Sequence, residues 1–327
     1  MLASVRALLA NVIDYAGIFP PANLSMDEAI RNYARYRQEP ERWMLGKFIC
    51  PATRLEELAG YHDELFRGDA PFAFSVLGLG GTTAAEFWDN LRLDLEAIGQ
   101  FRKRHGTQVQ VDTFEIRFPP CEIARLLPFT EENFLNTVGR LIDSIGPPGL
   151  RLFFEIAPGP QWDRHFTDII GALCAYNSAG WTEKRPRCRP LGFKLRCGGA
   201  EASAFPLSEQ VAHVLAYCAE LSVPLKTTAG LHHPYRHFDP ILQTKMHGFL
   251  NLLVAETMSA MDEAEITAIL EDEEPSNFEF EEESLRWRDL ERDTDTIDYV
   301  RREHFVSFGS CSFDEPREDL RALDLLS

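Results

Sequence analysis

The segment VPLKTTAGLHHP, at residues 223–234, combines groups that could do chemistry on a carbonyl compound. Lys226 follows three residues suited to a buried strand, and His232 and His233 come just beyond the strand's end. An amine in a dry pocket near other cations loses its proton more easily and can attack a carbonyl, while an imidazole moves protons near neutral pH. The competing interpretations are that Lys226 stays charged and holds the substrate's anionic group, and that the histidines only cap a helix or bond the backbone.

Charged residues also alternate with apolar ones in the segments DTFEIRF and LGFKLRC. Since successive side chains of a strand point to opposite faces, Glu115 shares a face with Arg117, and Lys194 shares one with Arg196. Glu155 lies late in a third such strand. The opposite faces are apolar and are predicted to pack against helices: Phe114, Ile116, Phe193 and Leu195.

These strand charges predict a cationic pocket inside an acidic protein. Four cations stand against the two carboxylates Glu115 and Glu155, whereas the whole chain carries a formal net charge of −18. Isolated charges in a protein interior are costly, so the groups must pair with one another or meet a ligand. A pocket of this kind suits a small carboxylate or phosphate ester. The alternative is a buried ion-pair network that only fixes the packing of the strands.

The elements that would position these residues alternate between strand and helix along the chain. Alternation of this kind predicts a parallel sheet, and eight units predict a (β/α)8 TIM barrel, here a single domain over 1–327. A doubly wound open sheet is the alternative, but no GxGxxG follows the first strand. The eight predicted strands are 47–51, 72–78, 112–118, 150–158, 191–197, 223–230, 248–256 and 304–312. The intervening helical patterns are 54–67, 84–104, 131–145, 162–177, 207–221 and 260–271, with a tail at 316–326.

Two further segments flank this pattern. Residues 1–45 are predicted to be an N-terminal extension with a helix from Met26, announced by a capping box of Ser25 and Glu28. Within it, the stiff segment 13–26 is expected either to cover the bottom of the barrel or to fold over the top and add Asp14 or Tyr15 to the site. Residues 271–290, which begin with a run of acidic side chains, are predicted to be a surface loop.

Two short segments resemble the class I aldolases related to deoxyribose-phosphate aldolase. KTTAG at 226–230 is similar to the sixth-strand segment that carries their Schiff-base lysine, and FGSCS at 308–312 is similar to their phosphate-binding last strand. The resemblance implies a TIM barrel with Lys226 as the Schiff-base residue and with Gly309, Ser310 and Ser312 around a phosphate. Thr228 would line the same substrate site. The family's second lysine, on the seventh strand, has no counterpart in GFLNLLVAE, so Lys194 would have to replace it.

The sequence therefore favours an enzyme acting on a small anionic, carbonyl-bearing metabolite by lyase or aldolase chemistry. In it, Glu155 or one of the two histidines would transfer the proton, and the anion would be held by Arg117, Lys194 and Arg196. A metal-assisted isomerase or hydrolase is one alternative, in which Glu115, Glu155, one of the two histidines and Glu256 would ring a divalent ion. No HxH or HExxH spacing supports that site, and the nearby cations oppose it. The other alternative is a non-catalytic barrel that binds a small anion. No cofactor is predicted.

Composition limits the partners and the compartment. A net charge of −18 disfavours nucleic acid and anionic membranes as partners. The seven cysteines are scattered without a CxxC pair, as is typical of reduced thiols. No segment has the pattern of a signal peptide or a membrane span, so a cytoplasmic protein is expected. The sequence leaves a homo-oligomer open.

Overall fold

The computed structural model describes residues 1–66, 68, 70–120, 133–159, 161–180, 189–258 and 262–326. Eight strands among these residues form a closed parallel barrel, so the predicted (β/α)8 TIM-barrel fold is confirmed. The barrel strands are β1 (Ile13–Tyr15), β2 (Leu45–Pro51), β3 (Phe72–Leu77), β4 (Val109–Arg117), β5 (Arg151–Ile156), β6 (Gly192–Arg196), β7 (Leu225–Thr228) and β13 (Phe305–Ser310). Around the barrel their order is β1-β13-β7-β6-β5-β4-β3-β2. A separate two-stranded sheet consists of β8 (His237–Asp239) and β9 (Thr244–Met246).

Helices surround the barrel, and short antiparallel strands lie outside it. The helices are α1 (Ala3–Leu9), α2 (Met26–Tyr36), α3 (Ala84–His105), α4 (Phe134–Ile145), α5 (Trp162–Gly180), α6 (Ser208–Glu220), α7 (Phe249–Thr257), α8 (Glu263–Glu271), α9 (Thr294–Glu303) and α10 (Asp314–Ala322). The predicted helix at 54–67 is instead a 3₁₀ helix over Ala52–Tyr61. Parts of two other predicted helices, 131–132 and 260–261, lie outside the described residues, as do Cys121 and Cys188. In the described part of the chain, none of the helices has both the length and the apolar character needed to cross a membrane.

Two predictions about the barrel strands were wrong. The strand predicted at 248–256 is the helix α7, all of whose residues are buried. A short, mostly apolar run fits a buried helix as well as a buried strand, and periodicity alone does not separate the two. The missing strand is β1, which lies inside the predicted N-terminal extension and pairs with both β2 and β13. Segment 13–26 therefore begins as part of the barrel wall rather than as a cover for either end.

The predicted acidic surface loop is also partly ordered into strands. Three antiparallel strands, β10 (Phe278–Phe280), β11 (Ser284–Trp287) and β12 (Leu290–Asp293), form a small sheet. Leu285 and Trp287 are buried, and the Trp287 indole donates a hydrogen bond of 3.0 Å to Asp272. The acidic residues thus belong to a folded hairpin region whose apolar side packs against the domain.

The faces of the barrel strands agree with the sequence prediction. Phe114, Ile116, Phe193 and Leu195 are buried. The Phe193 ring lies 5.5 Å from that of Phe166 on α5, edge to face, so this side of β6 packs on a helix. The alternating positions of β4 to β7 therefore point into the barrel, where Phe153 and the charged side chains meet.

Gly192, at the start of β6, makes room for the Phe153 ring inside the barrel. A Cβ atom at Gly192 would lie 2.4 Å from two carbons of that ring and 2.7 Å from the Pro224 carbonyl oxygen. We expect Gly192→Ala to lower the free energy of unfolding by about 1–3 kcal/mol, as overpacking does in other cores. Urea denaturation measures the change. The matched control is Gly171→Ala, in the interior of α5 with no neighbour within 4 Å. That substitution should be neutral or stabilise by up to about 1 kcal/mol, and equal losses in both variants would contradict the packing argument.

Candidate active site at the carboxyl ends of the barrel strands

A chain of alternating charges crosses the inside of the barrel. The Lys226 ammonium lies 2.6 Å from Asp14 Oδ2 and donates a second short hydrogen bond to Glu115 Oε1. The other oxygen of Glu115, Oε2, lies 2.5 Å from the Lys194 ammonium, which lies 2.8 Å from Glu155 Oε2. Four strands, β1, β4, β6 and β7, thus supply the buried part of the network, and Glu155 on β5 continues it.

The outer end of the network reaches solvent at the carboxyl ends of β4, β5 and β6. Glu155 Oε1 lies 3.4 Å from Arg196 Nη1 and 3.9 Å from Arg117 Nε. The side chain of Glu155 is 13% exposed, that of Arg196 34% and that of Arg117 76%, whereas Lys194 is 2% exposed. The described residues therefore present two accessible guanidinium groups at the mouth, in front of a buried chain of ion pairs. Active sites of TIM barrels lie at this end of the strands.

The ion pairs keep the buried groups charged. Burial alone would raise the pKa of Glu115, but the ammonium groups of Lys194 and Lys226 outweigh it and hold that pKa well below its usual range. Burial would lower the pKa of Lys226, but the Asp14 and Glu115 carboxylates raise it. The same balance, with Glu115 and Glu155 as partners, raises the pKa of Lys194. Both lysines are therefore ammonium ions at neutral pH.

This state of Lys226 opposes its predicted role as a nucleophile. An amine nucleophile needs a lowered pKa and access to substrate. Lys226 is 1% exposed, contacts two carboxylates and lies 5.6 Å from the centre of the Phe153 ring. Since β1 is part of the barrel, Lys226 also stands on the seventh strand in chain order, whereas Lys194 occupies the sixth. The aldolase resemblance assigns its lysine to strand six.

The two predicted catalytic histidines turn toward α10 rather than toward the buried network. His232 Nδ1 lies 3.2 Å from Glu315 Oε2 and 3.9 Å from Cys311 Sγ. His233 Nδ1 lies 2.7 Å from Asp319 Oδ2, and its side chain is exposed. Both imidazoles thus tie the loop after β7 to α10. In this geometry Glu155, and not a histidine, is the proton-transfer candidate nearest to the lysines.

At the predicted phosphate site, at the end of β13, the two serine hydroxyls already accept hydrogen bonds from the protein backbone. Gly309 faces the barrel beside Thr228, because a Cβ there would lie 3.0 Å from Thr228 Oγ1. Ser310 is buried, and its hydroxyl accepts a 3.3 Å bond from the Ser312 amide. The Ser312 hydroxyl in turn accepts from the amide of Glu315 at 3.1 Å. A carboxylate in the first turn of α10 opposes a phosphate at this place, so Arg117 and Arg196 are the better anion-binding candidates.

The groups proposed for the metal alternative do not come together. Glu115 is bound to two ammonium groups, while Glu256 lies on α7, where neither of its carboxylate oxygens has a hydrogen-bond partner among the described residues. No cluster of three or more His, Cys, Asp or Glu side chains suited to a metal ion occurs within the ranges that the structure describes. The arrangement gives the metal-assisted alternative no support.

Sequence reasoning missed two members of the site, Ser307 and Ser75, and offered Asp14 only in the alternative in which segment 13–26 folds over the top of the barrel. Asp14 instead holds Lys226 from within the barrel wall, and it accepts hydrogen bonds of 2.6 Å from the Lys47 amide and 2.7 Å from the Ser307 hydroxyl. The Ser75 hydroxyl donates to Glu115 Oε1 at 2.5 Å. The signal that could have identified Asp14 is its position between Ile13 and Tyr15. If this segment is a strand with those two side chains packed against helices, the Asp14 carboxylate faces the barrel interior.

Comparison of the chain with protein-family models, with curated proteins and with solved structures found no match, so the site is interpreted from its own geometry.

Proposed function

We propose that this protein is an enzyme that binds a small anionic carbonyl compound at the mouth of the barrel. Arg117 and Arg196 hold the anionic group, and Lys194 lies behind them as a fixed positive charge for the carbonyl oxygen. The observation that carries the proposal is the outer end of the ion-pair chain. There, the exposed Arg117 and the partly buried but accessible Arg196 share one carboxylate, Glu155, at distances of 3.9 and 3.4 Å.

The spacing of these groups favours an exchangeable anion. Guanidinium–carboxylate hydrogen bonds are shorter, about 2.7–2.9 Å, when both partners are fully engaged. Arg117 and Arg196 therefore retain donors for a second anion of carboxylate or phosphate geometry. Counting Asp14, the connected network described above has four cations and three carboxylates, and one monoanionic ligand would balance this network.

The lysines contribute as ammonium ions in this proposal. Barrel interiors are ordinarily filled by branched apolar side chains, and a buried ion-pair network is no more stable than a well-packed apolar replacement. Stability alone therefore does not explain the five buried or nearly buried charges in this lumen. An ammonium held by two carboxylates supplies a preorganised positive charge where a carbonyl oxygen develops negative charge.

The test is ligand-dependent thermal unfolding with pyruvate, oxalate and dihydroxyacetone phosphate as probes. A probe at 100 times its dissociation constant should add about 2.7 kcal/mol to the free energy of unfolding. Arg196→Met should weaken that binding about 10-fold or more, because it removes a charged hydrogen-bond donor worth about 1.5–3 kcal/mol. The matched control is Arg302→Met, at an exposed arginine on α9 whose ion-pair partner among the described residues is Asp298 in the same helix.

Three outcomes are informative. Binding of at least one probe that is lost in Arg196→Met and kept in Arg302→Met supports the proposal. Binding that survives Arg196→Met contradicts the assigned anion site. Failure of every probe to shift the unfolding temperature favours a barrel whose inner charges only neutralise one another.

A further inference from the structure

We infer that the substrate's anionic group turns Glu155 into the general base for enolisation by taking over the guanidinium groups that hold it. This inference rests on the proposed function. The substrate class is a 2-oxo acid, or a phosphorylated ketone, with a hydrogen on the carbon next to its carbonyl. The anion that binds Arg117 and Arg196 is the substrate's own carboxylate or phosphate.

The contacts of Glu155 place it between two sets of cations. Its Oε2 accepts from the buried Lys194 at 2.8 Å, and its Oε1 faces Arg196 and Arg117 at 3.4 and 3.9 Å. The buried contact is short and fixed, whereas the two outer contacts are long and belong to accessible side chains. An arriving anion can therefore take the outer two without disturbing the inner one.

Loss of those contacts would change the basicity of Glu155. Burial alone would raise the pKa of Glu155, and in the free protein Lys194 and then Arg196 lower it, against the nearby Glu115 carboxylate. Among the described residues, the charged groups around Glu155 are Lys194 and Arg196 from β6 and Arg117 and Glu115 from β4. When the substrate anion neutralises the two arginines, Lys194 is the one of these groups that still favours the ionised carboxylate. Burial and Glu115 then raise the pKa of Glu155 toward the range of a working base.

The proposed step balances without an oxidant or a co-reactant. The substrate's C–H bond adjacent to the carbonyl breaks, and an O–H bond forms on Glu155 Oε1. The electron pair moves into the carbonyl group and gives an enolate at the mouth, where the positive field of the buried Lys194 ammonium favours the new negative charge. Returning the proton regenerates the substrate, so in D₂O the reaction appears as exchange of that hydrogen for deuterium.

The experiment combines an exchange assay with a binding assay. Hydrogen–deuterium exchange into pyruvate and dihydroxyacetone phosphate is followed by ¹H NMR in D₂O, with wild-type protein, Glu155→Gln, Arg196→Met and the control Arg302→Met. The dissociation constant of oxalate, which has no exchangeable carbon-bound hydrogen, is measured in parallel by thermal unfolding. We expect Glu155→Gln to lower the exchange rate about 10²- to 10⁴-fold, the usual contribution of a general base. We also expect it to tighten oxalate binding roughly 2- to 5-fold, because it removes an anion that competes for partly exposed arginines.

The two proposals fail in different ways. If oxalate, pyruvate and dihydroxyacetone phosphate all leave the wild-type unfolding temperature unchanged, the proposed function is wrong and this inference falls with it. If a probe binds through Arg196 but neither carbonyl probe exchanges, or exchange is the same in Glu155→Gln, the inference alone is wrong. Unchanged or weaker oxalate binding in Glu155→Gln would show that Glu155 does not compete with the anion for the two arginines. That result would also overturn the inference.

Discussion

Replacing Lys226 by methionine is expected to lower the free energy of unfolding by about 3–5 kcal/mol, the cost of breaking a buried ion pair on one side. The substitution removes the only atom that contacts both Asp14 and Glu115 in the network described above. Two carboxylates would then face the same buried space with one ammonium, Lys194, between Glu115 and Glu155. Urea denaturation at pH 7 measures the loss.

A second variant separates charge from packing. The double variant Lys226→Met/Asp14→Asn removes one charge of each sign and leaves Glu115, Lys194 and Glu155 as a connected group. We expect it to unfold at a higher urea concentration than Lys226→Met alone, with a coupling energy of about 1–3 kcal/mol. A double variant whose loss equals the sum of the two single losses would mean that Lys226 and Asp14 act independently, contrary to their 2.6 Å contact.

Replacing Glu256 by glutamine is expected to stabilise the protein at alkaline pH by about 3–5 kcal/mol. Burial raises the pKa of Glu256 to about 8, and the buried Arg301 only partly offsets this effect. In the unfolded chain the same carboxyl ionises near pH 4.3. Between these two values the unfolded state releases a proton that the folded state retains, so ionisation of this group lowers stability as the pH rises from about 4.3 to 8. The cost is complete above pH 8 and is nearly zero below pH 4.

The free energy of unfolding of wild-type protein and of Glu256→Gln, measured from pH 5 to pH 9, checks this expectation. The difference between them should grow with pH up to about pH 8 and then stay constant. Glu265→Gln, at an exposed position of α8, is the control and should stay within about 0.5 kcal/mol of wild type. A constant difference between wild type and Glu256→Gln would show that the carboxyl finds a partner or water in solution.

The barrel could be predicted from the sequence because most of its strands carry a local signal. Seven of the eight predicted strands overlap barrel strands, and the alternation in DTFEIRF and LGFKLRC identified the inward faces of β4 and β6. β1 has three residues, too few to show a period, and it becomes a strand only through its pairing with β2 and β13. The residues of α7 are buried on every side and show no amphipathic period, so their helical state depends on the surrounding packing and not on a pattern in the sequence.

The composition of the site was predictable, but its pairing was not. Glu115, Glu155, Lys194 and Lys226 were expected to share the barrel interior, and they do. Whether Lys226 is an amine or an ammonium depends on what lies within 3 Å of it, and the deciding partner, Asp14, is 212 residues away in the chain. Residue types and their spacing along the chain do not reveal which distant residue lies next to Lys226 in the fold. The orientation of His232 and His233 toward α10 likewise depends on a helix that lies about 80 residues further along the chain.

The position of β1 between β2 and β13 sets an order of events during synthesis. Its pairing with β2 joins residues about 30 positions apart, but its other edge waits for β13, and Asp14 bonds Ser307 across 293 positions. A nascent chain emerges N-terminal end first, so one edge of β1 stays unpaired, and Asp14 lacks its bond from Ser307, until nearly the whole domain has been translated. The pairing of β1 with β13 closes a very long loop, so it is expected to form late. Contacts between residues so far apart in sequence slow folding. The charge chain that depends on Asp14 is therefore completed only after translation has passed the last strand.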